Sequence, residues 1–235
     1  MSTDAQFQEE VSRGERFPFG KNWASFLETL DDSRIAQAEQ SLKQMLRVDS
    51  LEGKRFLDAG SGSGLFSLAA KRLGATVVSF DFDPQSVACT TELRRRYYPD
   101  SPTWSVQQAS VLDRAFLGSL GAFDVVYSWG VLHHTGRMWD ALANVEPLVK
   151  PGGRLFIALY NDEGFKSRVW TRIKKLYCSG AAGRWLVKLM FIPLFAAIGL
   201  AKCVMTGRNY FADYKRRRGM SVYHDWIDWL GGYPF

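Results

Sequence analysis

The sequence predicts an α/β fold, a doubly wound and mainly parallel sheet with helices on both faces. Three observations carry this. Apolar runs of strand length alternate with helical stretches from Arg55 to Ala158, the rhythm that makes successive strands parallel neighbours. The first run ends in Leu57-Asp58-Ala59-Gly60-Ser61-Gly62-Ser63-Gly64, a glycine-rich turn into a helix, and such turns sit at the binding crevice of these sheets. The second run, Thr76-Val77-Val78-Ser79-Phe80-Asp81, is β-branched and apolar and ends in an acid 21 residues after Gly60.

Ahead of the sheet, Phe17 to Trp23 reads as an aromatic, turn-like stretch. A helix follows in which Ile35, Ala38, Leu42, Met45 and Leu46 recur at helical spacing behind Asp32 and Ser33, good amino-terminal caps. Residues 1–50 are thus expected to be an amino-terminal helical cap. Residues 51–162 are expected to be the core, with strands at 56–59, 77–81, 104–107, 125–127 and 155–159 and helices near 65–73, 84–97 and 138–148. After Asp162 the alternation stops. Residues 163–178 place Phe165, Val169, Trp170, Ile173 and Leu176 on one helical face, ringed by Lys166, Arg168, Arg172, Lys174 and Lys175. Residues 189–201 are uncharged, contain Pro193 and are bounded by Lys188 and Lys202. A spanning helix needs ~20 apolar residues, so this run is read as a buried lid helix or as a surface dipping into a membrane interface. The run Lys215-Arg216-Arg217-Arg218 fits solvated surface, anionic lipid or nucleic acid. Residues 163–235 are expected to be a basic, partly apolar helical insertion.

Composition bounds the rest. A chain of 235 residues, 46% hydrophobic, can bury one sizeable core. Cys89, Cys178 and Cys203 are odd in number and far apart, so neither a disulfide framework nor a metal site is expected. Residues 1–15 hold no apolar run of the secretory type, and a cytoplasmic location is expected, extended to the inner face of a membrane if the basic segment contacts lipid. The net charge of +6 is unevenly spread: residues 163–219 carry 13 Lys and Arg against 2 acids, a local +11, and the remainder is acidic.

The glycine turn departs from the dinucleotide fingerprint G-x-G-x-x-G, because Leu65 stands at the third glycine position. Asp58 would also repel a pyrophosphate while pairing with the ammonium of an amino-acid-like ligand. Asp81, at the tip of the neighbouring strand, is placed to accept hydrogen bonds from ribose hydroxyls. Further on come Phe123-Asp124-Val125-Val126-Tyr127-Ser128-Trp129-Gly130-Val131-Leu132-His133-His134 and Leu148-Val149-Lys150-Pro151-Gly152-Gly153-Arg154-Leu155-Phe156-Ile157-Ala158. With these four motifs in order over residues 55–161, the chain resembles the class I S-adenosylmethionine-dependent methyltransferases, nearest the ubiquinone-biosynthesis O-methyltransferase branch. The resemblance implies a Rossmann-like core with S-adenosyl-L-methionine as cofactor. Gly60, Ser61, Gly62 and Asp58 would hold its methionine part, Asp81 the ribose, and Phe82 would pack on adenine. Ser110, after the third strand, would take the place of an aspartate met in many relatives, and Val111 beside it with Ser128 and Trp129 after the fourth strand complete the implied set. The family continues beyond its fifth strand with a helix and an antiparallel strand pair, so a truncated chain is expected.

Methyl transfer to a hydroxyl removes a proton, and a histidine is the usual acceptor near neutrality. The candidates are His224, beside an acid and between aromatics, and His133 and His134 after the fourth strand, with Tyr160 and Asp162 as alternatives. The expected acceptor is a small or lipid-linked molecule, with peripheral membrane contact. Ser128-Trp129-Gly130-Val131 stands where amino-adenine methyltransferases have an Asn/Asp-Pro-Pro-aromatic signature, which argues against nucleic acid, although the basic segment permits RNA. A non-catalytic S-adenosylmethionine-binding protein is the rival from another class.

Overall fold

The computed structural model describes residues 2–218 and 222–234, without the side chains of Lys215, Arg216, Arg217 and Arg218, so the basic run predicted there lies outside the described side chains. Five strands, β1 (Arg55–Ala59), β2 (Thr76–Asp81), β3 (Trp104–Gln108), β4 (Phe123–Trp129) and β5 (Val149–Ala158), form one sheet in the order β3-β2-β1-β4-β5. All four pairings are parallel. The order reverses between β1 and β4, and a crevice at such a reversal is where these sheets take ligands. β5 is an edge strand, and its pairing with β4 is shifted between Phe123 and Val125, opposite the Pro151-Gly152-Gly153 turn.

Side chains alternate across each strand, and both faces of the sheet are covered. On one side Phe56, Trp104 and Tyr127 pack with α3 (Asp32–Leu46), α4 (Leu65–Arg72) and α5 (Pro84–Tyr97). On the other, Leu57, Phe80 and Val126 meet α6 (Arg114–Ser119) and α7 (Met138–Val145). Burying one such side chain is worth about 1.5–3 kcal/mol, so this sandwich fixes the strand ends that carry the site.

The amino-terminal region holds more helix than its composition announced: α1 (Thr3–Ser12), capped by Ser2, and α2 (Gly20–Glu28), which starts inside the stretch expected to be turn-like. The cap of α3 is Asp31 rather than Asp32 or Ser33; its carboxylate accepts from the Arg34 amide. The carboxylate of Asp83 caps α5 at the Gln85 amide and also accepts from the Gly20 amide, so one acid docks α2 onto the end of β2.

Beyond the sheet come α8 (Phe165–Cys178), α9 (Ala181–Thr206), α10 (Tyr210–Arg218) and α11 (Val222–Gly231). Two expectations for residues 189–201 are corrected. The helix there runs 26 residues with a mean hydropathy of 2.0 over its most apolar window, so by length and composition it can cross a membrane. It is also no buried lid, because only 6% of that window is buried. The charged residues that bound the run are compatible with helix and simply continue it.

Candidate functional site

The glycine turn is held in one shape by its own amides. Gly60 and Ser61 donate to the Phe80 carbonyl at 2.9 and 3.0 Å, Gly64 donates to the Ser61 carbonyl at 2.8 Å, and Gly62 donates to an Asp81 carboxylate oxygen at 2.9 Å. A phosphate nest needs such amides free; here four are spent, in keeping with a ligand that is not a pyrophosphate. Two of the glycines are steric necessities. Gly60 has φ +86° and a Cβ there would stand 2.4 Å from Val131; Gly64 has φ +81° and a Cβ would stand 2.8 Å from the Thr90 backbone. Ser61 bonds Thr90 through its hydroxyl, and Trp23 of α2 lies over Gly62, so the cap closes on the turn.

Asp81 lies at the tip of β2, where its other oxygen accepts from the Asp83 amide. Burial pushes its carboxyl up to about 6 against these two amide bonds. Asp58 sits deeper, beneath the turn. It is 2% exposed, accepts from the Ser67 hydroxyl, and Ser67 is bonded in turn to Ser79. Burial raises Asp58 to about 7, with the Ser67 bond opposing and the Asp81 charge adding. A carboxyl raised above its ordinary 3.8 ionises more readily in the unfolded chain, so folding binds a proton between about pH 4 and 7 and stability falls as pH rises through that window. Asp58→Asn should therefore flatten the pH dependence of urea unfolding between pH 4 and 7, by up to ~1.4 kcal/mol per pH unit. An identical slope in the variant would mean that Asp58 is ionised in the native protein.

Phe82 and Ser110 line one cavity of about 340 Å³, together with Gln6, Glu10, Arg16 and Pro234. Arg16 and Phe7 were not legible as site residues. The guanidinium lies 4.7 Å from the Phe82 ring centre and donates to the His134 carbonyl, and Phe7 meets Phe82 edge-on at 5.6 Å. Ser110 accepts from the Leu112 amide, while Val111 is core. Ser128 is buried and donates to the Ala59 carbonyl beneath the turn; Trp129 is exposed and stacks on Phe156. A larger open depression of about 970 Å³ between Asp31 and Asp213 contains none of these residues.

The strand-four loop brings a second group together. His133 lies 4.1 Å from His134 and 4.2 Å from Tyr160, ring centre to ring centre, and Tyr160 meets Trp229 at 5.9 Å. His134 is held by its Nδ1 at the Pro234 carbonyl, 2.7 Å. Neither ring nitrogen of His133 hydrogen-bonds a described residue, although both are buried. Burial, with the Lys174 charge nearby, depresses His133 to about 4; burial and His133 depress His134 to about 3. Lys174 is itself fully buried, donates to the Trp229 carbonyl and is lowered to about 8 by burial. His224 lies near the start of α11. Its end of α11 packs through Asp225 on Tyr214 and through Trp226 on Phe195 and Phe211, whereas Trp229 and Gly232 at the far end meet Tyr160 and His134. Asp162 is exposed and accepts from the Gly164 amide.

Residues 57–155 match a methyltransferase domain family. A ubiquinone biosynthesis O-methyltransferase of Methylocella silvestris is 30% identical over 192 residues, 75% of this chain and 72% of that one. Another from Nitrosococcus oceani is 36% identical over 114 residues, 48% of this chain, which spans 46% of its length. Among solved structures, the YcgJ protein of Bacillus subtilis is similar at a TM-score of 0.49 with 17% identity, over 60% of this chain and 58% of that one.

Proposed function

Because the chain belongs to the class I S-adenosylmethionine-dependent methyltransferases, we propose that it methylates a hydroxyl oxygen on a small-molecule acceptor, with S-adenosylmethionine held along the turn after β1 and the tip of β2. The observation that carries the cofactor assignment is the Gly62 to Asp81 bond, which ties a Cβ-free turn to a strand-end carboxylate. Phe82 and Ser110, in one cavity beside it, are proposed to take the adenine. Gly60, Ser61 and Gly62 shape the floor under the methionine part. Asp58, next to them and raised to about 7, gives up its proton when an ammonium is brought near.

When bound, S-adenosylmethionine supplies a methyl group on a sulfonium, and transfer is an in-line displacement governed by alignment. The chain's own part is to hold the acceptor and receive its proton. His133 is proposed for the proton, since its two buried nitrogens meet no described partner and its low pKa keeps it neutral at physiological pH. His134, tied to Pro234, and Tyr160 are proposed to form the wall around it, which leaves His224 outside this role. A lipid-linked acceptor and peripheral membrane contact are proposed on the apolar exposure of α9.

Calorimetry checks the cofactor half. S-adenosylmethionine and its demethylated product are expected to bind, and NADH is not; binding of NADH in place of both would overturn the assignment. Release of labelled methyl to an acceptor separates an enzyme from a protein that only binds the cofactor.

A further inference from the structure

α9 presents its two sides to different surroundings. Val187, Phe191, Phe195 and Gly199 recur every four residues and face the protein: Phe191 meets Trp170 of α8, Phe195 meets Trp226 of α11, and Gly199 leaves room for Phe211 of α10. The opposite side is apolar and open along the whole helix, with Trp185 and Leu189 each 67% exposed, Leu194 52% and Met205 85%. An apolar stripe of this length, about 39 Å at 1.5 Å per residue, exceeds what a monomeric soluble surface ordinarily carries. Exposed cations flank α9: Lys166, Arg168, Arg172 and Lys175 on α8, the helix packed against it, and Arg184 and Lys202 on α9 itself.

We propose that this face of α9 lies flat in the interface of an anionic lipid membrane, its apolar side among the acyl chains and the cations of α8 and α9 at the headgroups. This inference rests on the reading of the chain as an enzyme with a lipid-linked acceptor, and adds the surface and its orientation. Charge complementarity selects the occupant. A second copy would bring one +11 segment against another, whereas anionic headgroups attract it at roughly 1 kcal/mol per basic residue. Packing selects the orientation. A spanning α9 would carry α8, with its exposed Arg168, Arg172 and Lys175, into hydrocarbon, and only thirteen uncharged residues separate Lys188 from Lys202. Lying flat satisfies both sides.

The surface is packed against the acceptor wall. Rings lead from Phe195 to Phe191 at 5.9 Å, to Trp170 at 5.5 Å, to Trp229 at 5.5 Å, and then to Tyr160 and His133. The rings thus connect the histidine pair to α9 through α11 and α8.

The test uses the full chain with phosphatidylcholine vesicles, with and without phosphatidylglycerol. Co-sedimentation should require the anionic lipid and fall with added salt, and Trp185 fluorescence should be quenched by lipids brominated on the acyl chain. Arg172→Glu with Lys175→Glu should weaken partitioning roughly 30-fold or more. Leu189→Glu with Leu194→Glu should abolish the quenching. Both variants change exposed side chains, and calorimetric binding of S-adenosylmethionine reports that they are folded. Oriented circular dichroism should show the helix parallel to the bilayer. A transverse helix, a dimer by ultracentrifugation without lipid, or no vesicle binding at low salt would each overturn the proposal. Vesicle binding fails independently of cofactor binding, so loss of one leaves the other reading standing.

Discussion

His133→Ala is expected to lower methyl transfer to an identified hydroxyl acceptor by about 10²–10⁴-fold, the usual contribution of a positioned proton acceptor. Cofactor affinity should stay nearly unchanged, because the ring packs on His134 and Tyr160. The pH profile gives a second readout. His133 is depressed to about 4, so its neutral form persists as pH falls through 6.5, and activity should hold until the pH approaches that lower value. The same depression means that the stability contributed by keeping the ring neutral is present above 6.5 and lost as pH falls from 6.5 towards 4. An acid limb at 6.5 would point instead to a solvated histidine. Full turnover in His133→Ala would remove the residue from the chemistry and pass the proton to Tyr160, to His134 or to water.

Asp81→Ala should weaken S-adenosylmethionine binding by about 1.5–3 kcal/mol, the range for hydrogen bonds to a charged group, or roughly 10- to 150-fold in Kd. The carboxylate already accepts from Gly62 and Asp83, so alanine also frees the turn after β1. Asp81→Asn, which keeps one acceptor oxygen, should fall between alanine and the native residue. Calorimetry measures all three, and equal affinities would remove the main support for the site.

What the sequence disclosed depended on how local each determinant is. The turn after β1 and the acid closing β2 were legible because a glycine run, an apolar strand and a strand-end acid are neighbours along the chain, and their parallel pairing follows from the alternation alone. The positions of α4, α5 and α7 were legible for the same reason. α1 was not, since Thr3–Ser12 is polar around and owes its place to one ring, Phe7 on Phe82. The extent of α9 was hidden by Lys188 and Lys202, which bound an uncharged run without ending a helix. His224 had every local mark of a base, an acid and aromatics beside it. Which end of α11 meets Tyr160 and His134 is decided by contacts more than fifty residues apart, from Lys174 to the Trp229 carbonyl and from Cys178 to the Gly231 carbonyl.

β5 closes one side of the sheet with ten residues, and among the described residues nothing pairs with its outer edge. The backbone donors and acceptors along that outer edge are of the kind on which a further strand pairs. Arg154 is exposed on this strand and a charge at that place keeps a second edge away.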